Sequence, residues 1–305
     1  MQQTISKIEA RAIKLGVVAN LVMAFSGWAA FNLSGSQALL LDGNMSFILF
    51  LTTLVALKIN QVKSLRTEQY PFGLYVTEAM YTLTKGLLLL GVVISAIVSN
   101  SSKVLDYFNG VAIATIKTDI IVYYAPAMVT ICWGLSAFYY WQNKRIGNKS
   151  SLLSVDQKSS FIDGILSAAT GAILIVIGYV EPNSRFDFLR YIGDALLVLI
   201  LAVMIIGQPI AIIKNAFVEL VGGKLRDKGQ YQDIETTVKR YFVGDEQKLM
   251  RLNISKTGSN YLVVIGLSLA DLQSQNIANW QVNKQKCLNE LSSRYPFVDM
   301  EVTVI

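Results

Sequence analysis

The chain has 305 residues, of which 53% are hydrophobic and only 16% charged, a deficit against the roughly 25% charged residues of soluble domains that points to a lipid bilayer. Its net charge of +6 does not call for nucleic acid, because the basic residues lie between apolar stretches. There is no histidine, which excludes imidazole as ligand or proton shuttle, and Cys132 and Cys287 have no zinc-binding spacing.

Taken in order, six apolar stretches cover residues 15–33, 38–59, 76–99, 120–141, 161–180 and 191–213. Each is close to the 20 or so residues that a helix needs to cross about 30 Å of hydrocarbon. The polar start, MQQTISKIEARAIK, does not have the form of a cleavable signal peptide. Fourteen Lys and Arg residues, from Lys7 to Lys228, flank the spans on the side of the termini, against Lys103, Lys117, Arg185 and Arg190 on the other. By the positive-inside rule both termini are expected in the cytoplasm.

Spans two and five are less apolar than the rest because each holds an aspartate. Span two contains LLLDGNMSFI (39–48) and span five SFIDGILSAA (160–169), so an Asp-Gly-x-x-Ser pattern occurs twice. An ionisable residue inside a span is a functional-site hypothesis by default. Residues at i, i+3, i+4 and i+7 share a helix face. Asp42, Met45, Ser46 and Leu49 therefore lie together, as do Asp163, Leu166, Ser167 and Thr170. The candidate ion path is Asp42, Asn44, Ser46, Asp163, Ser167 and Thr170, with Asp42 and Asp163 as the metal candidates. Asn44 is the outlier, about 200° round the helix from Asp42. Oxygen ligands of this kind suit a hard or partly hydrated ion.

Lys85 lies inside span three, on the face of Glu78. A buried lysine calls for a carboxylate, and Asp42 or Asp163 is the expected partner, which adds Lys85 to the path. Glu78 reads as one half of an interfacial ion pair, Asp194 as a cap at the start of span six, and Gln208-Pro209 as a kink. No nucleophile–base constellation is present, so an enzyme is not expected.

After Gly222–Gly223 the chain turns polar. Periodicity predicts a helix over 231–242, strands over 248–254 and 261–269, a helix over 279–295 stopped by Pro296, and a strand over 298–305. That order gives a small two-layer α+β domain. Asp299 and Glu301 alternate onto one face of the last strand, read as a solvated edge. The expected organisation is a six-helix α-helical transmembrane domain at 1–222 and an α+β domain at 223–305.

Four segments resemble the cation diffusion facilitator family: SGSQALLLDGNMS (34–46), YPFGLYVTE (70–78), DALLVLILA (194–202) and RYPFVDMEVTV (294–304). More narrowly the chain is similar to a divergent branch of predicted cobalt/zinc/cadmium transporters. The resemblance implies a six-span exporter of divalent cations in exchange for protons, with a ferredoxin-like cytoplasmic domain. It implies a homodimer, held through that domain and the membrane helices, in the inner (plasma) membrane of a bacterium. The lipid bilayer is the other partner, nucleic acid is none, and no cofactor is expected beyond the transported cation.

The chain departs from the family at the residues three and seven positions after each aspartate, where the family's metal ligands stand. Here those residues are Met45 and Leu49, and Leu166 and Thr170. Four good donors are what tetrahedral zinc needs, so the usual site is not expected. If the usual ligand positions lie level, Asp42 and Asp163 stand roughly 15 Å apart in depth, as successive stations. A monovalent cation/proton antiporter and a non-transporting homologue serving as a partner platform are the alternatives.

Overall fold

The computed structural model describes residues 2–63, 65–70, 73–145, 151–242, 251–267, 277–295 and 297–304. The first seven helices are α1 (Gln2–Ser34), α2 (Gln37–Val62), α3 (Val76–Phe108), α4 (Ile121–Arg145), α5 (Ser151–Gly178), α6 (Leu189–Ile205) and α7 (Gly207–Leu220). They supply six segments long and apolar enough to cross a membrane: Arg11–Ser34, Gln37–Ile59, Val76–Phe108, Ile121–Arg145, Asp156–Gly178 and Leu189–Leu220. The sixth runs over the α6–α7 break. Pro209 has no N–H to continue the ladder, and the helix restarts at Gly207 just before it. Helix α5 begins at Ser151, ten residues before its apolar run, so the polar stretch LLSVDQKSS is helical.

The polar C-terminal segment adds α8 (Lys228–Phe242), β1 (Arg251–Thr257), β2 (Asn260–Leu267), α9 (Ile277–Arg294) and β3 (Phe297–Val304). The sheet order is β1-β2-β3, with β1–β2 antiparallel and β2–β3 parallel. A parallel neighbour needs a crossover, and α9 lies in that connection. The helix–strand–strand–helix–strand order is the one expected. Residues 248–250 and 268–269, Pro296 and Ile305, which belonged to the predicted strands and helix stop, lie outside the described residues.

The chain packs as two compact units, Met1–Val55 with Lys85–Ile210, and Ala56–Thr84 with Ala211–Ile305. The core of the first is built by Met23, Leu39, Leu41, Ile121, Tyr124, Met128, Cys132, Leu174 and Val198. Asp194 is fully buried in this unit. It caps α2 rather than its own helix: Ser36 Oγ donates to Oδ1 at 2.8 Å, and the N–H groups of Gln37 and Ala38 donate at 2.5 and 3.1 Å. A carboxylate at a helix N-terminus meets three donors that have no partner inside the helix.

In the second unit Ile234, Val238, Ile254, Val263, Ile265, Cys287 and Leu291 form a separate core between α8, α9 and the sheet. Across α8 and α9, Tyr241 Oη donates to Glu290 at 2.8 Å, and Arg240 approaches it at 3.0 Å. Arg294 pairs with the same carboxylate. The Tyr241 hydrogen bond, helped by Arg240 and Arg294, holds the Glu290 carboxyl below its ordinary value. A depressed folded-state value stabilises the domain above the unfolded-state value of about 4.3, and the contribution fades as pH falls through it. Acid titration of unfolding is expected to show a Glu290→Gln protein less stable than the wild type at neutral pH, with the difference shrinking as pH falls below about 4.3.

Candidate functional site

The two Asp-Gly pairs sit where helices approach closely. A Cβ on Gly43 would lie 3.1 Å from the Ala24 carbonyl oxygen and from the Trp28 ring, so α1 presses on α2 beside Asp42. A Cβ on Gly164 would collide with the Trp133 indole and reach the Cys132 Cβ at 3.3 Å, so α4 presses on α5 beside Asp163. Small residues that admit a neighbouring helix are the usual means of packing in a membrane. The repeated pattern therefore joins a carboxylate to a close helix contact in each half of the bundle.

Asp42 is half-buried and accepts a hydrogen bond from the Tyr124 hydroxyl of α4 at 2.7 Å. Tyr124, Met128 and Cys132 follow one another at helical spacing, and all three are buried. Cys132 Sγ meets Met23 Sδ of α1 at 3.8 Å. The charges of both Asp42 and Asp163 act on Cys132, and that of Asp42 acts on Asp163. The two aspartates are within electrostatic reach of one another.

The remaining candidates divide. Ser46 is buried, and Ser167 and Thr170 are half-buried. Asp163 is exposed on the surface of the single chain. Asn44 turns to α1, where its Oδ1 accepts from Trp28 Nε1 at 2.9 Å, so its side chain serves a helix contact away from Asp42. Among the described ion pairs none joins Lys85 to Asp42 or Asp163. The charge that acts on it is that of Asp156, on the polar first turns of α5. Residues 151–160 precede the apolar run of span five, and their helical form places Asp156 on α5. Among the described residues, no three of the Cys, Asp and Glu side chains gather as a metal-holding group.

Tyr124 is the residue that spacing arguments missed. The available signal was a phenol inside an apolar span, since a buried Tyr hydroxyl calls for a partner. Its hydroxyl fixes the direction of the Asp42 carboxyl. A Tyr124→Phe protein is expected to fold normally and to show an apparent KM for the ion raised about tenfold, read from flux against ion concentration.

The family model described as the cation efflux transmembrane domain matches residues 13–221, which takes in all six spans. A comparison with curated proteins returned no match. The match covers more than half of the chain and meets a fold of six membrane-length helices followed by a small α+β domain. The chain is an integral membrane protein and belongs to the cation efflux family, the cation diffusion facilitators, whose members are metal cation transporters.

Proposed function

We propose that the protein is a proton-coupled secondary transporter that exports a divalent cation, with Asp42 and Asp163 handling the ion and the usual four-ligand zinc site not retained. The observation that carries the reading is the Asp42 carboxylate, held by Tyr124 at 2.7 Å inside the bundle and acting electrostatically on Asp163. A paired acidic site in a membrane exchanges protons for a cation, because an unpaired charge there is costly. Met45, Leu49, Leu166 and Thr170 stand at the family's ligand positions and supply no strong donor. Ser46, Ser167 and Thr170 offer oxygens on the two aspartate-bearing faces. In this reading the charge of Asp156 answers that of Lys85 and both path aspartates are left to the ion, where two negative charges suit a divalent cation better than a monovalent one.

In this reading residues 223–305 form a cytoplasmic domain that helps a homodimer to assemble. Both termini lie in the cytoplasm, and the membrane is the inner membrane of a bacterium. The cation is cargo, and no resident cofactor is invoked.

The test is flux in proteoliposomes, with manganese, iron, cobalt, zinc, magnesium, sodium and potassium offered with and without a pH gradient. Divalent flux that a pH gradient drives supports the reading. Flux of sodium or potassium alone selects the monovalent antiporter, and silence toward every ion selects the partner platform.

A further inference from the structure

Helix α3 has 33 residues, which makes it about 50 Å long and carries it well past the 30 Å or so of hydrocarbon. Its apolar run ends near Ser99, and residues 100–108 read NSSKVLDYF. Those last turns have the character of a membrane–water boundary. Leu105 and Phe108 are exposed, and Tyr107 stacks on Tyr191 with ring centroids 5.8 Å apart. Gly110, at φ +77°, ends the helix. Its N–H donates to the Tyr107 carbonyl oxygen at 3.1 Å, and the Val111 N–H donates to that of Asp106 at 3.0 Å. A left-handed glycine that closes those two bonds turns the chain back on its own helix. Further on, Lys117 N–H donates to the Ser34 carbonyl oxygen at 3.0 Å, which ties the returning segment to the end of α1.

Between that segment, the start of α2 and the last turns of α3 lies an open cavity of about 510 Å³. Gln37, Ser99, Ser102, Lys103 and Asp106 line it, with the apolar residues 111–113. Lys103 and Asp106 are half-buried and share one face of α3. Neither takes part in the described ion pairs. A base placed before an acid on a helix is the weaker order for pairing. The charge of Lys103 reaches Asp194, but that carboxylate already takes three donors from the start of α2. The cavity therefore offers one positive and one negative group on a single wall, beside two hydroxyls.

We infer that this cavity binds the headgroup of a zwitterionic phospholipid that carries a primary ammonium, with its phosphate on Lys103 and the hydroxyls of Ser99 and Ser102, and its ammonium on Asp106. Charge and spacing argue for it. Residues three apart on a helix have Cβ atoms about 5–6 Å apart, close to the reach of a phosphate and an ammonium joined by an ethylene unit. An anionic headgroup would satisfy Lys103 and be repelled by Asp106. A trimethylammonium headgroup offers Asp106 no N–H, so it loses a charge-assisted hydrogen bond. Depth argues for a lipid as the source. The cavity begins where the apolar run of α3 ends, at the level of the headgroups, and basic pockets beside membrane helices hold lipid phosphates there. Leu105, Phe108 and Val111 are exposed next to it and give acyl chains an apolar surface. The inference does not depend on the transport reading.

The experiment uses full-length protein in detergent and native mass spectrometry, with short-chain phosphatidylethanolamine, phosphatidylcholine and phosphatidylglycerol titrated in parallel. The wild-type protein is expected to bind phosphatidylethanolamine about tenfold more tightly than either of the others. Asp106→Ala brings the preference over phosphatidylcholine to within about twofold, and Asp106→Glu keeps it. Lys103→Gln weakens binding of all three lipids about tenfold and leaves their ratios alone, while Lys103→Arg restores the affinity. The thermal midpoint without added lipid identifies the variants that fold, and the conservative pair keeps the test open if Asp106→Ala does not. Equal affinity for the three lipids in the wild-type protein overturns the inference. A preference that survives in folded Asp106→Ala protein overturns the role of that carboxylate. Water-soluble glycerophosphoethanolamine that binds as tightly as the lipid overturns the lipid as occupant.

Discussion

Proteoliposomes holding the Asp42→Asn, Asp163→Asn double variant are expected to lose ion-driven flux by about a hundredfold or more, and each single variant by about tenfold. Asparagine keeps the shape of aspartate, and its carbonyl oxygen still accepts the Tyr124 hydroxyl at position 42, where the native bond is 2.7 Å. What disappears is charge. In the proposed reading the two aspartates form one acidic site, so the losses are not expected to add simply. A single variant leaves one carboxylate to attract the ion, whereas the double variant leaves none. Removing charges from inside a membrane costs the fold nothing, so the thermal midpoint in detergent should hold or rise. Flux that survives both substitutions removes these residues from the path.

Asp194→Ala is expected to give the largest loss of stability of any single substitution in the membrane helices, about 3–5 kcal/mol, because it leaves buried donors without their charged acceptor. Three donors end on that carboxylate, from Ser36, Gln37 and Ala38, and the residue is fully buried. Asp194→Asn keeps one acceptor but turns an amide N–H₂ toward backbone N–H groups, so it recovers only part of the loss. The readouts are the thermal midpoint in detergent and the folded yield. The ion preference of whatever protein remains folded should match wild type, since the cap acts on the start of α2 and not on the path. A loss below about 1 kcal/mol would mean that water or the helix ends take over the role of the cap.

The membrane helices were legible because twenty apolar residues in a row admit few other readings. The C-terminal order was legible for a related reason: VVI is a short β-branched apolar run, VDMEV alternates, and the IETTVKRYF stretch repeats at helical spacing. Asp42 and Asp163 stood out because a carboxylate in an apolar run has no cheap structural excuse. Their partners did not, since the packing of neighbouring helices leaves no mark in sequence. Tyr124 and Asp156 were missed for opposite reasons. Tyr124 is one of many aromatic residues in the apolar spans, and Asp156 lies before an apolar run, in a serine-rich stretch that is helical. Asp194 was read as a cap, but on the wrong helix, because a residue's own neighbours say nothing of a chain end 158 residues away. The ion pair of Glu78 was foreseen at the level of type, and its partners, Lys63 and the turn at Ser259, came only with the fold.

The most direct test of the central claim is calorimetric titration of the detergent-solubilised protein with the divalent ion that shows the highest flux, run in two buffers of different ionisation enthalpy to count protons. The predicted result is saturable binding with proton release in the wild-type protein and neither in the Asp42→Asn, Asp163→Asn variant. Equal affinity and equal proton release in the two proteins would contradict the claim that these aspartates hold the ion.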